Sequence, residues 1–262
     1  MTLRSVRDRA RLAAYLSRDR ELHLYELGDL DDFFFPQTRW FGWGQPELEA
    51  ICLLYEGSFG ATLLAFSAHG TDGRMCALLA ALEGKLPARF YAHLTPGLVG
   101  SLSKRFHTGP RRSALKLALR NPSRVTAIDT AEVVPIRSED VESVRALYRE
   151  AYPDNWFDPR MLDTGCYCGV REGDSWLAIA GVHVLSRVYR VAALGNIATA
   201  EAARRRGLGT KVTAALCQKL VREGIATIGL NVMSANHAAL ECYRKLGFEG
   251  VAAYEELELW AH

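Results

Sequence analysis

Arg204-Arg205-Arg206-Gly207-Leu208-Gly209-Thr210 is the stretch that decides how this chain folds. It is read together with Asn236-His237-Ala238-Ala239-Leu240-Glu241-Cys242-Tyr243-Arg244-Lys245-Leu246-Gly247-Phe248 further on. The first stretch lies between a strand-like run over 189–199 and an amphipathic helix over 207–223, with Val212, Ala215, Leu216 and Leu220 on one side. Glycine lets backbone N–H groups approach an anion closely. The first turn of a helix leaves about four N–H groups unpaired and carries partial positive charge, so phosphate binds well there. Three arginines add positive charge. A Walker-type loop is excluded, because Lys211 follows Gly209-Thr210 in the wrong order, and no Gly-x-Gly-x-x-Gly opens a first βαβ unit.

Working outward, 225–232 is rich in β-branched residues and reads as a strand, 234–246 as a helix closed by Gly247, and 254–260 as a terminal strand. Asn236, Ala239 and Tyr243 are three and seven residues apart and share one helix face. Seven residues rise ~10.5 Å, so that face can serve both ends of an extended ligand. Upstream, Val133, Val134 and Ile136 suggest a strand. Ser138 stands as an N-cap before the acids Glu139 and Asp140 of a helix carried by Val141, Val144, Ala146, Leu147 and Tyr148. Strands over 167–171, 176–185 and 189–199 follow, with turns at Gly173-Asp174 and Ser186-Arg187.

The combination Arg-x-x-Gly-x-Gly, Asn-x-x-Ala-x-x-x-Tyr and Gly-Phe, in this order of strands and helices, resembles the Gcn5-related N-acetyltransferase (GNAT) family. The resemblance covers roughly 131–260 and is tightest over 194–248. It is similar most of all to the branch of glycine N-acyltransferases, in which a degenerate acetyltransferase-like lobe precedes the catalytic one. It implies an α+β protein with the acyl-CoA N-acyltransferase fold, a mixed central sheet flanked by helices. The lobes would be 1–125, degenerate, and 126–262, catalytic. It implies acetyl-CoA as cosubstrate, its pyrophosphate held over Arg204, Arg205, Arg206, Gly207, Leu208, Gly209 and Thr210. Ile197, Ala198 and Thr199 would pair with the pantetheine arm like an added strand. Asn236, with Ala239 on its face, would meet the CoA arm. Tyr243 would protonate the departing sulfur, since a phenol of ordinary pKa ~10 is protonated at neutral pH.

The general base is less legible. The strand ending near the acetyl group offers Asn196 and no carboxylate, and Glu201 lies beyond its end. His183, on the preceding strand, is the candidate base, with Asp154, Tyr152 and Tyr189 as others; a water relay or an amine of low pKa would need none. The expected reaction is direct attack by a primary amine of a small molecule on acetyl-CoA in a ternary complex. A weakly catalytic CoA-binding regulatory module, and use of a longer acyl-CoA, are the alternatives.

The first half is read more coarsely. Residues 5–32 show helical spacing, and 49–55, 61–67 and 74–82 look strand-like, with Gly57, Gly60, Gly70 and Gly73 as turns. Thr95-Pro96-Gly97 opens a helix to 105, and 113–119 is a further strand. The aromatic run Phe33, Phe34, Phe35, Trp40, Phe41 and Trp43 reads as packing, with cover for the acceptor as the other reading. Asn121-Pro122-Ser123 marks a boundary near 120–130.

With 262 residues, 49% hydrophobic and 24% charged, the chain has an ordinary globular composition. Thirty-two basic against thirty acidic residues leave a formal charge of +2, which argues against a nucleic-acid partner. The uncharged run 57–71 is too short and too polar to span a membrane. The Arg-rich start reads as an ordinary first helix rather than a transit peptide. Six cysteines without a Cys-x-x-Cys pair indicate no metal site and fit a reducing cytoplasm. A monomer or homodimer is expected.

Overall fold

A computed structural model describes every residue except Met1, Phe59, His69, Gly70, Thr71 and Glu83. The turn expected at Gly70 therefore lies outside the described residues. Among the described residues, thirteen strands and seven α-helices gather into two compact units. One is Met1–Lys116 with Met233–Ala235 and Val251–His262; the other is Leu117–Val232 with Asn236–Gly250.

The first unit runs β1 (Leu3–Ser5), α1 (Arg9–Leu16), α2 (Leu24–Gly28), β2 (Thr38–Trp43), β3 (Ala50–Gly57), β4 (Gly60–Ala65), α3 (Gly73–Leu82), β5 (Arg89–Leu94), β6 (Phe106–Thr108) and the start of β7 (Arg112–Leu119). β1 to β4 are antiparallel neighbours, and β5 lies parallel to β4. The last strand of the chain, β13 (Phe248–Ala261), runs antiparallel to β5 and to β6. Asp8 caps α1 by accepting from the Arg11 N–H.

Residues 74–82 correct the sequence reading: they form α3, not a strand. Met75, Leu78, Leu79 and Leu82 recur at helical spacing and are buried against Leu54, Leu63 and Ala65. The run is built of Arg, Met, Cys, Ala and Leu rather than β-branched residues, so propensity and packing agree on a helix. The helix expected after Gly97 is only a 3₁₀ turn, Leu98–Leu102. In the aromatic run, Phe34, Trp40 and Phe41 are buried, which is the packing reading.

The second unit runs α4 (Pro122–Thr126), β8 (Val134–Pro135), α5 (Val141–Ala151), β9 (Cys168–Glu172), β10 (Ser175–Ser186), β11 (Val191–Thr199), α6 (Leu208–Arg222), β12 (Thr227–Met233) and α7 (His237–Lys245). β8 to β11 are antiparallel neighbours and β12 lies parallel to β11. Ser138 does not cap α5 directly. A 3₁₀ turn, Ser138–Asp140, comes first, and Asp140 accepts from the Arg137 N–H.

Both units thus repeat one plan: edge strand, helices, a three-strand antiparallel meander, a crossover helix and a parallel strand. In the second unit α6 buries Val212, Leu216 and Leu220 and packs on β9, β10 and β11. α5 packs on β10 and β11. The Cys168 thiol reaches the Val212 carbonyl on α6, so strand alternation puts Tyr167 on the opposite face. Among the described residues, no helix is long and apolar enough to cross a membrane, and no group of three metal-ligating side chains occurs.

Candidate functional site

β11 changes partners where it becomes interesting. Its ladder with β12 runs from Val191 opposite Thr227 to Leu194 opposite Leu230 and, among the described residues, goes no further. β11 itself continues to Thr199 against β10. Residues Gly195 to Thr199 therefore have one strand edge without a ladder partner, and Ile197, Ala198 and Thr199 lie on it. Two register shifts cause the departure. Asn196 and Ile197 bulge out of β11 between the Gly181–Gly195 and Ile179–Ala198 pairs. His183 bulges out of β10 between Val182 and Val184. Bulges of this kind re-aim side chains and end pairing. Asn196 takes the left-handed conformation, φ 53°, and its carbonyl accepts from the Tyr148 hydroxyl of α5 at 2.8 Å.

Beyond β11, a 3₁₀ turn over Glu201–Ala203 leads into the arginines. Arg205 and Gly207 both have positive φ, 62° and 78°. Gly207 is the N-cap of α6, and no side chain caps the helix, so its first-turn N–H groups stay available for an anion. An added Cβ at Gly207 would meet nothing within 4 Å, so this glycine is required by its backbone conformation and not by crowding. Arg204, Arg205 and Arg206 are exposed and make no ion pair among the described residues. Leu208 is buried and anchors the turn, while Gly209 lies close to the Thr199 hydroxyl. Thr210 shares a hydrogen bond with the Cys242 thiol, 3.2 Å, tying α6 to α7.

On α7, Asn236 is the N-cap, and its side-chain oxygen accepts from the Ala239 N–H at 3.2 Å. That oxygen is committed to the helix, so only the amide NH₂ could donate to a ligand. Tyr243 stacks at a tilt beside Phe248, ring centres 5.8 Å apart, and is buried. Burial pushes its phenol up, which keeps the proton on oxygen. Its hydroxyl makes no hydrogen bond among the described residues.

His183 lies against Gly195, where an added methyl group would sit 2.3 Å from the imidazole. Its Nε2 is 3.2 Å from the Asn196 side-chain oxygen. The Asn196 NH₂ donates to the Tyr167 hydroxyl at 2.9 Å, which donates in turn to the Val182 carbonyl at 3.1 Å. Of the other base candidates, Asp154, Tyr152 and Glu201 are exposed. Tyr189 sits in the turn before β11, at the end away from Thr199. Tyr148, Tyr167, Gly181 and Asn196 were not singled out as a group by the sequence. The signal that could have found them is glycine at 181 and 195 inside otherwise apolar strands, which marks a close approach.

Residues 133–248 match the family model described as the acetyltransferase (GNAT) family. A Drosophila protein of known structure is similar with a TM-score of 0.72 and 14% identity, over 98% of both chains. A GNAT-family structure from Novosphingobium aromaticivorans gives 0.59 and 18%, over 80% of this chain and 88% of its own. A tandem GNAT protein from the clavulanic acid biosynthesis pathway gives 0.55 and 12%, over 98% of both. A search of curated proteins finds no match.

Proposed function

We propose that this chain, which belongs to the acetyltransferase (GNAT) family through residues 133–248, moves an acetyl group from acetyl-CoA to a primary amine of a small molecule. The observation that carries the reading is the parting of β11 from β12 after Leu194, beside an uncapped α6 N-terminus with three exposed arginines that make no ion pair among the described residues. A thioester on a long phosphorylated arm fits both features. The first-turn N–H groups of α6 and the guanidiniums of Arg204, Arg205 and Arg206 suit a pyrophosphate. The open edge from Ile197 to Thr199 suits the amide groups of an extended arm, which would add as a strand.

The division of labour follows. The catalytic part expected over 126–262 holds the cofactor and the chemistry through its second-unit residues, while the first unit, which also takes in Val251–His262, repeats the plan without such a turn. The bound amine attacks the thioester carbonyl, a backbone N–H of the parted strand polarises that carbonyl, and Tyr243 gives its proton to the leaving thiolate. His183 is the base for the amine. The test is thiol release from acetyl-CoA with a panel of small amines, alongside calorimetry of acetyl-CoA binding. Turnover with at least one amine supports the reading; tight binding without any turnover refutes it.

A second reading is a CoA-binding regulatory module. Its support is that Asn196, not a carboxylate, occupies the bulge of β11. The same pair of measurements separates the two, and repeating them with longer acyl-CoA thioesters tests the acyl length.

A further inference from the structure

Asn231 is the first residue of β12 beyond its last ladder pair with β11, Leu194 opposite Leu230. Paired residues of a ladder share a face, and successive side chains of a strand alternate between faces. Asn231 therefore stands on the same face as Gly195, which pairs with Gly181. That is the face of two rings: an added Cβ would sit 2.3 Å from His183 at Gly195 and 2.1 Å from Tyr167 at Gly181. Asn231 is half-buried, and its side-chain oxygen is fully buried with no hydrogen-bond partner among the described residues. A buried acceptor without a donor costs free energy, so its presence calls for a reason.

The first unit supplies a control at the same place in its plan. There the residue beyond the last pair of β4 and β5, Ala65 opposite Leu94, is Thr95. The Thr95 N–H bonds the Ala65 carbonyl, and the Thr95 hydroxyl accepts from the Ser67 N–H at 3.0 Å. The closed junction satisfies its polar side chain from its own backbone. The open junction leaves the Asn231 oxygen without a donor.

The direction of the cosubstrate names the donor. On the acyl-transfer reading, the pyrophosphate lies at Arg204–Thr210 and the arm runs back along the edge from Thr199 to Ile197. Its thioester end then points toward Gly195, where β11 and β12 part. A thioester carbonyl and sulfur only accept hydrogen bonds, the acetyl methyl group makes none, and the amides of the arm pair with the strand edge. The donor that the reaction brings to the carbonyl carbon is the amine nitrogen.

We propose that the Asn231 side-chain oxygen accepts a hydrogen bond from the attacking amine, and that this contact selects primary over secondary amines. This rests on the acyl-transfer reading of the same site. A neutral primary amine has two N–H groups and one lone pair. With one N–H on Asn231, the lone pair can face the carbonyl and the second N–H is left for the base. The nitrogen–carbon bond forms and the carbon–sulfur bond breaks. The base takes the second proton, and the sulfur's electron pair receives the Tyr243 proton. The proton on the base, passed through solvent, restores the phenol. The product amide keeps the N–H that Asn231 held. A secondary amine has a single N–H, which cannot both stay on Asn231 and leave with the base.

The test uses the full chain, acetyl-CoA, and the fastest amine of the panel beside its N-methyl derivative. Asn231→Leu keeps the branching of asparagine and removes its polar atoms. It should lower kcat/KM for the primary amine ~10-fold, the worth of one hydrogen bond. The preference for the primary over the N-methyl amine should shrink by the same factor. Acetyl-CoA affinity by calorimetry should not change. Asn231→Asp, which keeps an acceptor oxygen, should keep the preference. A measurement without turnover stands beside these: Asn231→Leu should raise the thermal midpoint of the ligand-free chain by roughly 2–4 °C, because a buried oxygen without a donor is removed. A lower midpoint would mean that the oxygen serves the fold, and weaker acetyl-CoA binding would mean that it serves the arm; either overturns the proposal. No turnover of any amine by the wild type fails the transferase reading itself. Turnover whose preference Asn231→Leu leaves intact fails this proposal alone. If Asn231→Leu does not fold, Asn231→Ala carries the same kinetic comparison.

Discussion

The two units follow one plan of strands and helices and treat the same junction in opposite ways. In the first, the parallel pair stays closed: β4 and β5 pair from Thr62–Tyr91 to Ala65–Leu94. The Thr95 N–H then bonds the Ala65 carbonyl, and the Ser67 N–H bonds the Thr95 hydroxyl. In the second, β11 and β12 separate after Leu194 and Leu230. The meander of the first unit keeps its register from Leu53–Leu64 to Gly57–Gly60, whereas β10 and β11 carry two bulges. A shared topology therefore does not make a site. The difference is made by a few residues that interrupt pairing and by a helix start left uncapped.

The face opposite α3 tells the same story from the other side. Where the second unit has a histidine and an amide, the first buries Lys116, Glu26 and Asp29. The Lys116 ammonium sits 3.7 Å over the Phe66 ring, with no hydrogen-bond partner among the described residues. Burial pulls its pKa down to about 8. Glu26 pairs with His23 at 3.0 Å; burial raises its carboxyl, but Lys116 and His23 outweigh that and hold it low. Burial and the Glu26 charge raise Asp29.

The comparison can be broken most directly at the turn from Arg204 to Thr210. Replacing Arg204, Arg205 and Arg206 by Ala together should weaken acetyl-CoA binding by on the order of 100- to 1,000-fold, about tenfold for each charged hydrogen bond lost. Calorimetry checks it, and unchanged affinity would remove the second unit's claim to the cofactor. In the first unit, Lys116→Met removes the charge that, with His23, holds Glu26 low, and should cost up to ~3 kcal/mol in chemical denaturation. The double variant Lys116→Met/Glu26→Gln should cost less. The pH dependence has a definite sign. The folded chain releases the Lys116 proton near pH 8, the unfolded chain only near ~10.4, so this group's contribution to stability rises with pH across that window. The rise should be missing in the double variant.

Tyr243→Phe should lower kcat ~100-fold while leaving acetyl-CoA binding intact; an unchanged rate removes the acid role. Gly181→Ala drives a methyl into the Tyr167 ring and should cost roughly 1–3 kcal/mol by thermal denaturation. The smallest effect is expected from Arg74→Ala. Arg74 lies in the first turn of α3, the counterpart of α6, and pairs with Glu49 at 2.9 Å on the surface. It should leave cofactor affinity alone and change stability by less than ~1 kcal/mol. A loss of affinity there would show that the closed unit also holds cofactor.

The second unit was far more legible in the sequence than the first. Its turn from Arg204 to Thr210 combines glycines and arginines between a strand and an amphipathic helix, a pattern visible without coordinates. The run over 74–82 misled because it is short and apolar nearly throughout. Its helical period shows only in which leucines face the sheet. Asn236 was legible as part of a motif, but its use as the α7 cap was not, because capping depends on where the helix begins.

By itself the sequence determined the order of elements in the second unit, the glycine- and arginine-rich turn from Arg204 to Thr210 at the start of a helix, and the spacing that puts Asn236, Ala239 and Tyr243 together. These are local properties, fixed by residues a few positions apart. Only the tertiary structure decided that β11 leaves β12 after Leu194, that the first unit keeps its parallel pair closed, and that His183, Asn196 and Tyr167 meet. Those outcomes depend on register between strands distant in sequence. One extra residue in a ladder redirects every side chain beyond it, and no local pattern records which partner that residue will face.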